Sequence, residues 1–457
     1  MDAFAETAKQ PELRRDLGPW AAAAIVVGTT IGSGIFLVPT DMVQAVGSVH
    51  MVFLVWIVGG LMTLFGALTY AELAAAMPGA GGEYVYLNAA YGPFFGFIYG
   101  WTQMWVAKAA SIATLATGFF GYLANFAPGL TGVWLTIPVP IGPNGGPFEI
   151  RYGQLLAISV VLFLGGVNYV GVKVGGNVQV FVTILKIILI GGLIGFGLFG
   201  GAGNTANLSS SVPAPGGFTG FFAALVAALW AYDGWNNGVM VGSEIKNPQR
   251  NLPLTLVFGT LAIMGIYLAA NIAYFYVLSG AEVAAAEEGR VAAVMMRHVM
   301  GPVGASLVSV AAMLSIFAAL NGSILSGSRV PYAMARDGYF FASAARVHPQ
   351  FRTPFVSIIL LSVWSSLMVL SGRYKELYTI VIFPSWVLYG MTAAAAIVLR
   401  KKRPDMPRPY RVVGYPVVPV LFVIVASILV YATLQGSPRE SAIGLVLIAA
   451  GLPFYFH

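Results

Sequence analysis

Val26-Val27-Gly28-Thr29-Thr30-Ile31-Gly32-Ser33-Gly34-Ile35-Phe36 stands inside an apolar run that extends from Pro19 to Val46. The run is long enough to cross a bilayer, whose hydrocarbon core takes about 20 residues of helix, yet its centre is filled with glycine, serine and threonine. Each glycine costs about 1 kcal/mol relative to alanine in a helix interior. In hydrocarbon an unpaired backbone group costs several kcal/mol more, so a broken helix persists only where the break lines a cavity or meets a ligand. A break around Gly32 to Gly34 leaves free carbonyls on the first half-helix and free N–H groups on the second. The latter sit at the positive end of a helix dipole, which suits a carboxylate. Thr30, Ile31, Gly32, Ser33 and Gly34 are therefore candidate ligand contacts. Small residues also permit close helix packing, and this stretch taken alone fits either reading.

The rest of the chain sets the class. Its 457 residues are 58% hydrophobic and 9% charged, with mean hydropathy +0.81, far from the roughly 25% charged residues of soluble domains. This is the composition of an all-α polytopic membrane protein. Twelve spans are expected, at 19–46, 51–74, 93–125, 153–170, 178–199, 218–241, 253–278, 302–328, 354–371, 377–399, 416–434 and 440–456. Such long apolar runs exclude a β-barrel, whose strands would alternate, and the polar residues 1–16 carry no signal-peptide pattern. With both termini in the cytoplasm, sixteen of the 24 Lys and Arg residues fall on the inner side, six on the outer side and two, Lys108 and Lys186, within spans; this is the asymmetry expected of a cytoplasmic-membrane protein. The net charge of +7 follows from this topology and calls for no nucleic-acid partner. The chain has no cysteine, which excludes disulfides, thiolate metal sites and cysteine nucleophiles.

Residues 126–152, rich in proline and glycine, read as an external loop, and Ala281 to Met300 as a short amphipathic external helix. Met77 to Tyr84 forms a glycine-rich turn, and the basic run Arg400 to Arg411 a juxtamembrane anchor. Span 6 repeats the feature of span 1: Ala228-Leu229-Trp230-Ala231-Tyr232-Asp233-Gly234-Trp235-Asn236-Asn237-Gly238 again interrupts an apolar helix with polar residues and glycine. Interrupted helices at positions one and six of two five-helix halves point to an inverted-repeat transporter with its site at mid-membrane.

Several motifs in order resemble the amino acid-polyamine-organocation superfamily: Gly28 to Phe36, Tyr70-Ala71-Glu72 to Gly82-Glu83-Tyr84, Ala231 to Trp235, Glu244 to Pro253, Ser315 to Ser323, and His348 to Pro354. Within it the chain is similar to the L-type amino acid transporters and to a bacterial serine/threonine exchanger. The resemblance implies the leucine-transporter fold: a tail at 1–16, a first inverted repeat at 17–200, a second at 217–400 and two accessory helices at 412–457. It implies that Gly32, Ser33 and Gly34 hold a substrate carboxylate. The carbonyls of Trp230, Ala231 and Tyr232 at the second break would take the α-ammonium, Trp230 would close the site as a gate, and Asp233 and Gly234 beside them are further candidate substrate contacts. Lys186 resembles the lysine that, in sodium-independent relatives, replaces a sodium ion between spans 1 and 8, where Ser315 stands. Animal L-type relatives join a heavy chain through a disulfide, which a chain without cysteine cannot do. Lys108 stands where the serine/threonine exchanger has a small residue.

Ionisable groups inside spans cost about 2.5 to 3.5 kcal/mol, so each is a functional hypothesis. Asp233 fits a contact to a cationic substrate or a cap on the new half-helix, and Lys108 fits an ion pair with Asp233. Glu72 and Glu244 lie near cytoplasmic span ends, where gating or capping is expected. His50, His298, His348 and His457 are expected in loops or at the terminus. No His-Glu zinc motif, no paired aspartates at catalytic spacing and no signalling domain is present, so no enzyme, metal or cofactor is expected. The expected activity is sodium-independent exchange of L-amino acids, small or mid-sized and neutral. Proton-coupled uptake, or uptake of cationic amino acids or polyamines, is the alternative.

Overall fold

The computed structural model describes residues 12–139, 147–371, 374–436 and 438–456; most of the expected tail, part of the 126–152 loop and His457 lie outside them. The helices in chain order are α1 Pro19–Thr30, α2 Gly34–Val46, α3 Val49–Ala76, α4 Glu83–Tyr91, α5 Pro93–Thr102, α6 Lys108–Leu123, α7 Tyr152–Val170, α8 Val172–Phe199, α9 Gly217–Tyr232 and α10 Asn237–Met240. They continue as α11 Pro248–Val277, α12 Gly280–Ala284, α13 Val291–Gly327, α14 Arg329–Arg336, α15 Phe355–Ser371, α16 Tyr374–Lys402, α17 Val417–Gly436, α18 Pro438–Ala449 and α19 Leu452–Tyr455. Among the described residues nine helical runs are long and apolar enough to cross a membrane; the shorter apolar helices Gly217–Tyr232, Phe355–Ser371 and Ser441–Tyr455 stand where spans 6, 9 and 12 are expected.

Both interruptions are real breaks. Proline at the first position of α1 has its φ already set for a helix, and the helix ends at Thr30, with Ile31 leaving helical geometry at φ −75°, ψ 86°. The hydroxyls of Thr29 and Thr30 turn back onto the carbonyls of Ile25 and Val26 at 2.6 and 2.8 Å, competing with the backbone ladder where it fails. At the second break α9 ends at Tyr232 and Asp233 is extended. Gly234 then takes φ +100°, a conformation open to glycine but strained for other residues.

The broken helices lie at the centre of the packing: α2 runs against α9, and α1 contacts α8, α11 and α13. The helix α8 shows how one face is selected. Gln179, Val182, Thr183, Lys186, Ile190 and Leu193 are buried, at spacings of three and four, whereas Phe181, Ile184 and Ile188 are exposed on the outer side. That periodicity turns Lys186 inward.

Three expectations are corrected. The external loop contains a small antiparallel hairpin, β1 Val133–Ile137 paired with β2 Phe148–Arg151. The segment Ala281 to Met300 is not one helix: α12 ends at Ala284, a 3₁₀ turn follows at Glu287–Gly289, and the remainder is the start of α13, which kinks at Gly301. His50 and His298 lie within α3 and α13, near their starts, rather than in loops.

Candidate functional site

The two breaks enclose a cavity. Its walls come from Thr29, Thr30, Gly32, Ser33 and Gly34 at the first break and from Trp230, Asp233, Gly234 and Asn237 at the second. Ser111 and Leu115 of α6 and Ser323 of α13 close it. Glycine allows the breaks to touch. A Cβ on Gly34 would lie 2.6 Å from both Cα and Cβ of Ala231, and one on Gly234 3.1 Å from the Thr29 carbonyl carbon. The Thr29 hydroxyl, shared with the Ile25 carbonyl at 2.6 Å, lies 2.9 Å from the Gly234 carbonyl. The Tyr267 hydroxyl is shared between the carbonyls of Thr30 and Ala231, at 3.0 and 2.6 Å.

The first break is held through its main chain. Lys186 Nζ donates to the Gly28 carbonyl at 2.7 Å and also to that of Ile31. Ser315 Oγ donates to Ile31 at 2.8 Å and lies 3.3 Å from the Gly32 carbonyl. A lysine with 0% exposure needs acceptors for its ammonium, and the carbonyls freed by the break provide them. Behind it, Gln179 Nε2 donates to the Ala24 carbonyl at 3.1 Å and Gln179 accepts from Asn321 at 2.9 Å. On the cavity side, the first N–H groups of α2 at Gly34 and Ile35 have no acceptor within their own helix.

Besides the ties from Tyr267 and Thr29 to its Ala231 and Gly234 carbonyls, the second break is held through its side chains. Asp233 accepts the Tyr389 hydroxyl at 2.8 Å, Asn236 donates to Glu83, and Asn237 accepts from Lys108 at 2.6 Å. Glu83 also accepts the Tyr99 hydroxyl at 2.9 Å. Glu83 was not legible as part of this site. The glycine-rich turn before it packs on the second half of span 6: Gly81 N–H donates to the Met240 carbonyl at 2.9 Å, and a Cβ on Gly82 would stand 2.6 Å from Val239 Cγ2. The turn thereby delivers the first residue of α4 to the break.

Several candidate residues are placed differently from expectation. Lys108 and Asp233 form no ion pair here; their partners are Asn237 and Tyr389. Asp233 does not cap the new half-helix, whose N-cap is Asn236. Tyr232 points away from the cavity into an aromatic group with Trp56 and Tyr267, its hydroxyl 3.2 Å from the Trp56 carbonyl. Ile31 and Ala231 contribute carbonyls to the ties rather than side chains to the wall. Away from the cavity wall, Glu244 forms a fully buried two-point pair with Arg329 at 2.7 and 3.0 Å. Glu72 binds Arg400 at 2.8 Å and the Val412 N–H at 2.7 Å. Among the described residues no group of His, Cys, Asp and Glu is arranged to hold a metal ion.

The chain is similar over nearly its whole length to known transporters. A serine/threonine exchanger of Bacillus subtilis is 34% identical, covering 97% of this chain and 97% of that protein. The human b(0,+)-type amino acid transporter 1 is 30% identical over 98% of this chain and 88% of its own, and the human cystine/glutamate transporter 28% identical over 97% and 85%. A nucleobase-cation-symport-1 family transporter solved in a closed conformation shares the fold, with a TM-score of 0.51 at 15% identity, covering 98% of this chain and 96% of that one. Amino acid permease is also the family pattern that residues 17–455 match, and with two broken helices facing one another across a central cavity, the chain belongs to that family.

Proposed function

We propose that this chain exchanges L-α-amino acids across the cytoplasmic membrane by alternating access, without sodium, and that its substrates are neutral and small to mid-sized. The observation that carries the reading is the cavity between the breaks, with a fixed cation behind one wall and helix-opening N–H groups in front. An amino-acid carboxylate fits the N–H groups of Gly34 and Ile35 beside Ser33, where the α2 dipole favours negative charge. The ammonium faces the carbonyl end of α9 next to Asp233, and Trp230 covers the cavity. Lys186 supplies between α1, α8 and α13 the positive charge that a sodium ion would otherwise bring. The two five-helix repeats, 17–200 and 217–400, would rock about this site, with the Glu244–Arg329 and Glu72–Arg400 pairs opening and closing the end that the basic residues place in the cytoplasm. Without cysteine the chain works with no disulfide-linked subunit.

The relatives' names support amino acids as the substrate class, since an exchanger of serine and threonine and two amino acid transporters align over nearly the whole of this chain. Asp233 in the cavity wall favours a second reading, uptake of cationic amino acids or polyamines. A thermal-stabilisation screen of the purified protein against the twenty amino acids separates them, because a ligand that binds only the folded state raises its stability. Stabilisation by small neutral L-amino acids supports the first reading; stabilisation by lysine, arginine or polyamines alone supports the second.

A further inference from the structure

Adjacent asparagines at the second break are held in opposite senses. Asn236 gives its Nδ2 to Glu83, a carboxylate that accepts, and its Oδ1 is buried without a partner. Asn237 Oδ1 accepts from Lys108, an ammonium that has donors and no acceptor. The orientation of the Asn237 amide is thus fixed by chemistry: its oxygen must face Lys108 and its NH₂ must face away. Lys108 is itself held in place, for its stem fills the space left by Gly327, where a Cβ would lie 2.5 Å from Lys108 Cγ. Asn237 is 1% exposed and belongs to the cavity wall. Among the described residues its Nδ2 has no acceptor.

We infer that Asn237 is a specificity-determining donor for the substrate side chain and that Lys108, which does not line the cavity, is the residue that positions it. The inference rests on the amino acid exchange proposed above and narrows its substrate class: neutral amino acids carrying a hydrogen-bond acceptor one or two bonds beyond Cβ. The hydroxyls of Ser111 and Ser323 stand in the same wall, and Ser111 is three residues from Lys108, on the same face of α6. A buried donor left unpaired by an apolar side chain penalises that substrate.

The test uses two pairs of substrates of matched shape in proteoliposomes loaded with unlabelled substrate: L-threonine with L-valine, and O-methyl-L-serine with L-norvaline. The ether of O-methylserine only accepts, so it reports the direction of the amide. The intact transporter is expected to favour O-methylserine over norvaline by roughly tenfold or more, as for sites built around a substrate acceptor. Asn237→Leu should bring that ratio close to one while norvaline still exchanges. Asn237→Asp, which keeps a partner for Lys108 but presents only acceptors, should lose O-methylserine and retain threonine. Lys108→Met frees the amide to rotate and should give an intermediate ratio; if it does not fold, the two Asn237 variants decide. A ratio near one in the intact protein, or an unchanged ratio in Asn237→Leu, overturns the inference while leaving amino acid exchange intact. Absence of exchange with every amino acid would instead defeat the transport reading, and this one with it.

Discussion

At the first break Lys186, Ser315 and Tyr267 all bind main-chain carbonyls, those of Gly28, Thr30 and Ile31; at the second, Tyr389, Glu83 and Lys108 bind the side chains of Asp233, Asn236 and Asn237. The difference has a physical consequence. A carbonyl tie needs no particular side chain at the break, so the first break can be built of glycine, serine and threonine and can approach a ligand closely. A side-chain tie fixes the identity and the rotamer of each residue it holds, so the second break can present a specific set of donors and acceptors. The first break is suited to groups that every α-amino acid shares, and the second to what distinguishes one from another.

Substitutions that hit the contact between the breaks should do the most harm. Gly34→Val would drive a side chain into the Ala231 backbone, since even a Cβ lies at 2.6 Å. Exchange of all substrates should fall below about one hundredth, given that overpacking costs about 1–3 kcal/mol or more and acts here on the site itself. Thermal unfolding of the detergent-purified variant should show that it still folds. Next in size, Lys186→Ala leaves the Gly28 carbonyl without its donor and the Ile31 carbonyl with that of Ser315 alone, at about 1–3 kcal/mol for the buried group left unpaired. The comparison requires this loss to be uniform, with every neutral substrate slowed by a similar factor. A change in substrate preference would show that the main-chain ties also select.

Glu83→Gln should give the opposite pattern at smaller size. Its amide oxygen can still accept from Asn236, so the loss should be several-fold, corresponding to about 1 kcal/mol, and it should alter the ratio between substrates measured by competition. A uniform loss would erase the distinction between the breaks. The smallest effect serves as a control outside the membrane. Ser279 caps α12 and Glu282 returns to the Ser279 N–H at 2.8 Å; that backbone hydrogen bond, ahead of those from the Ser279 and His298 side chains, holds the Glu282 carboxyl below its ordinary range. A depressed carboxyl contributes stability that is present above its unfolded pKa and lost as pH falls through its folded value. Ser279→Ala should therefore lower stability by about 1 kcal/mol at neutral pH, with less difference in acid, and leave exchange unchanged.

The first break was legible because a membrane helix cannot hide Gly32-Ser33-Gly34: in hydrocarbon such a run demands an explanation. Lys186 was legible for the same reason, as a lone charge in an apolar face, and the resemblance gave it a role that its contacts with Gly28 and Ile31 fit. The partners of the second break were not legible. Tyr389, Tyr267 and Tyr99 are three of 21 tyrosines, and what singles them out is distance across helices far apart in sequence. Glu83 was read as part of a glycine-rich turn, although a carboxylate between Gly81-Gly82 and Tyr84-Val85-Tyr86 is an acidic group in apolar company. That context was the available signal. Lys108 and Asp233 feel each other's charge without direct contact, because the amide of Asn237 and the hydroxyl of Tyr389 take the hydrogen bonds, which opposite charge alone does not reveal.

The central claim is that Lys186 stands in for a coupling cation at the first break. Counterflow of a neutral L-amino acid by the unmodified protein in proteoliposomes, with sodium replaced throughout by choline or potassium, tests it most directly. The account predicts equal rates with and without sodium, and a large loss in Lys186→Ala that sodium does not restore; transport that strictly requires sodium in the unmodified protein would contradict it.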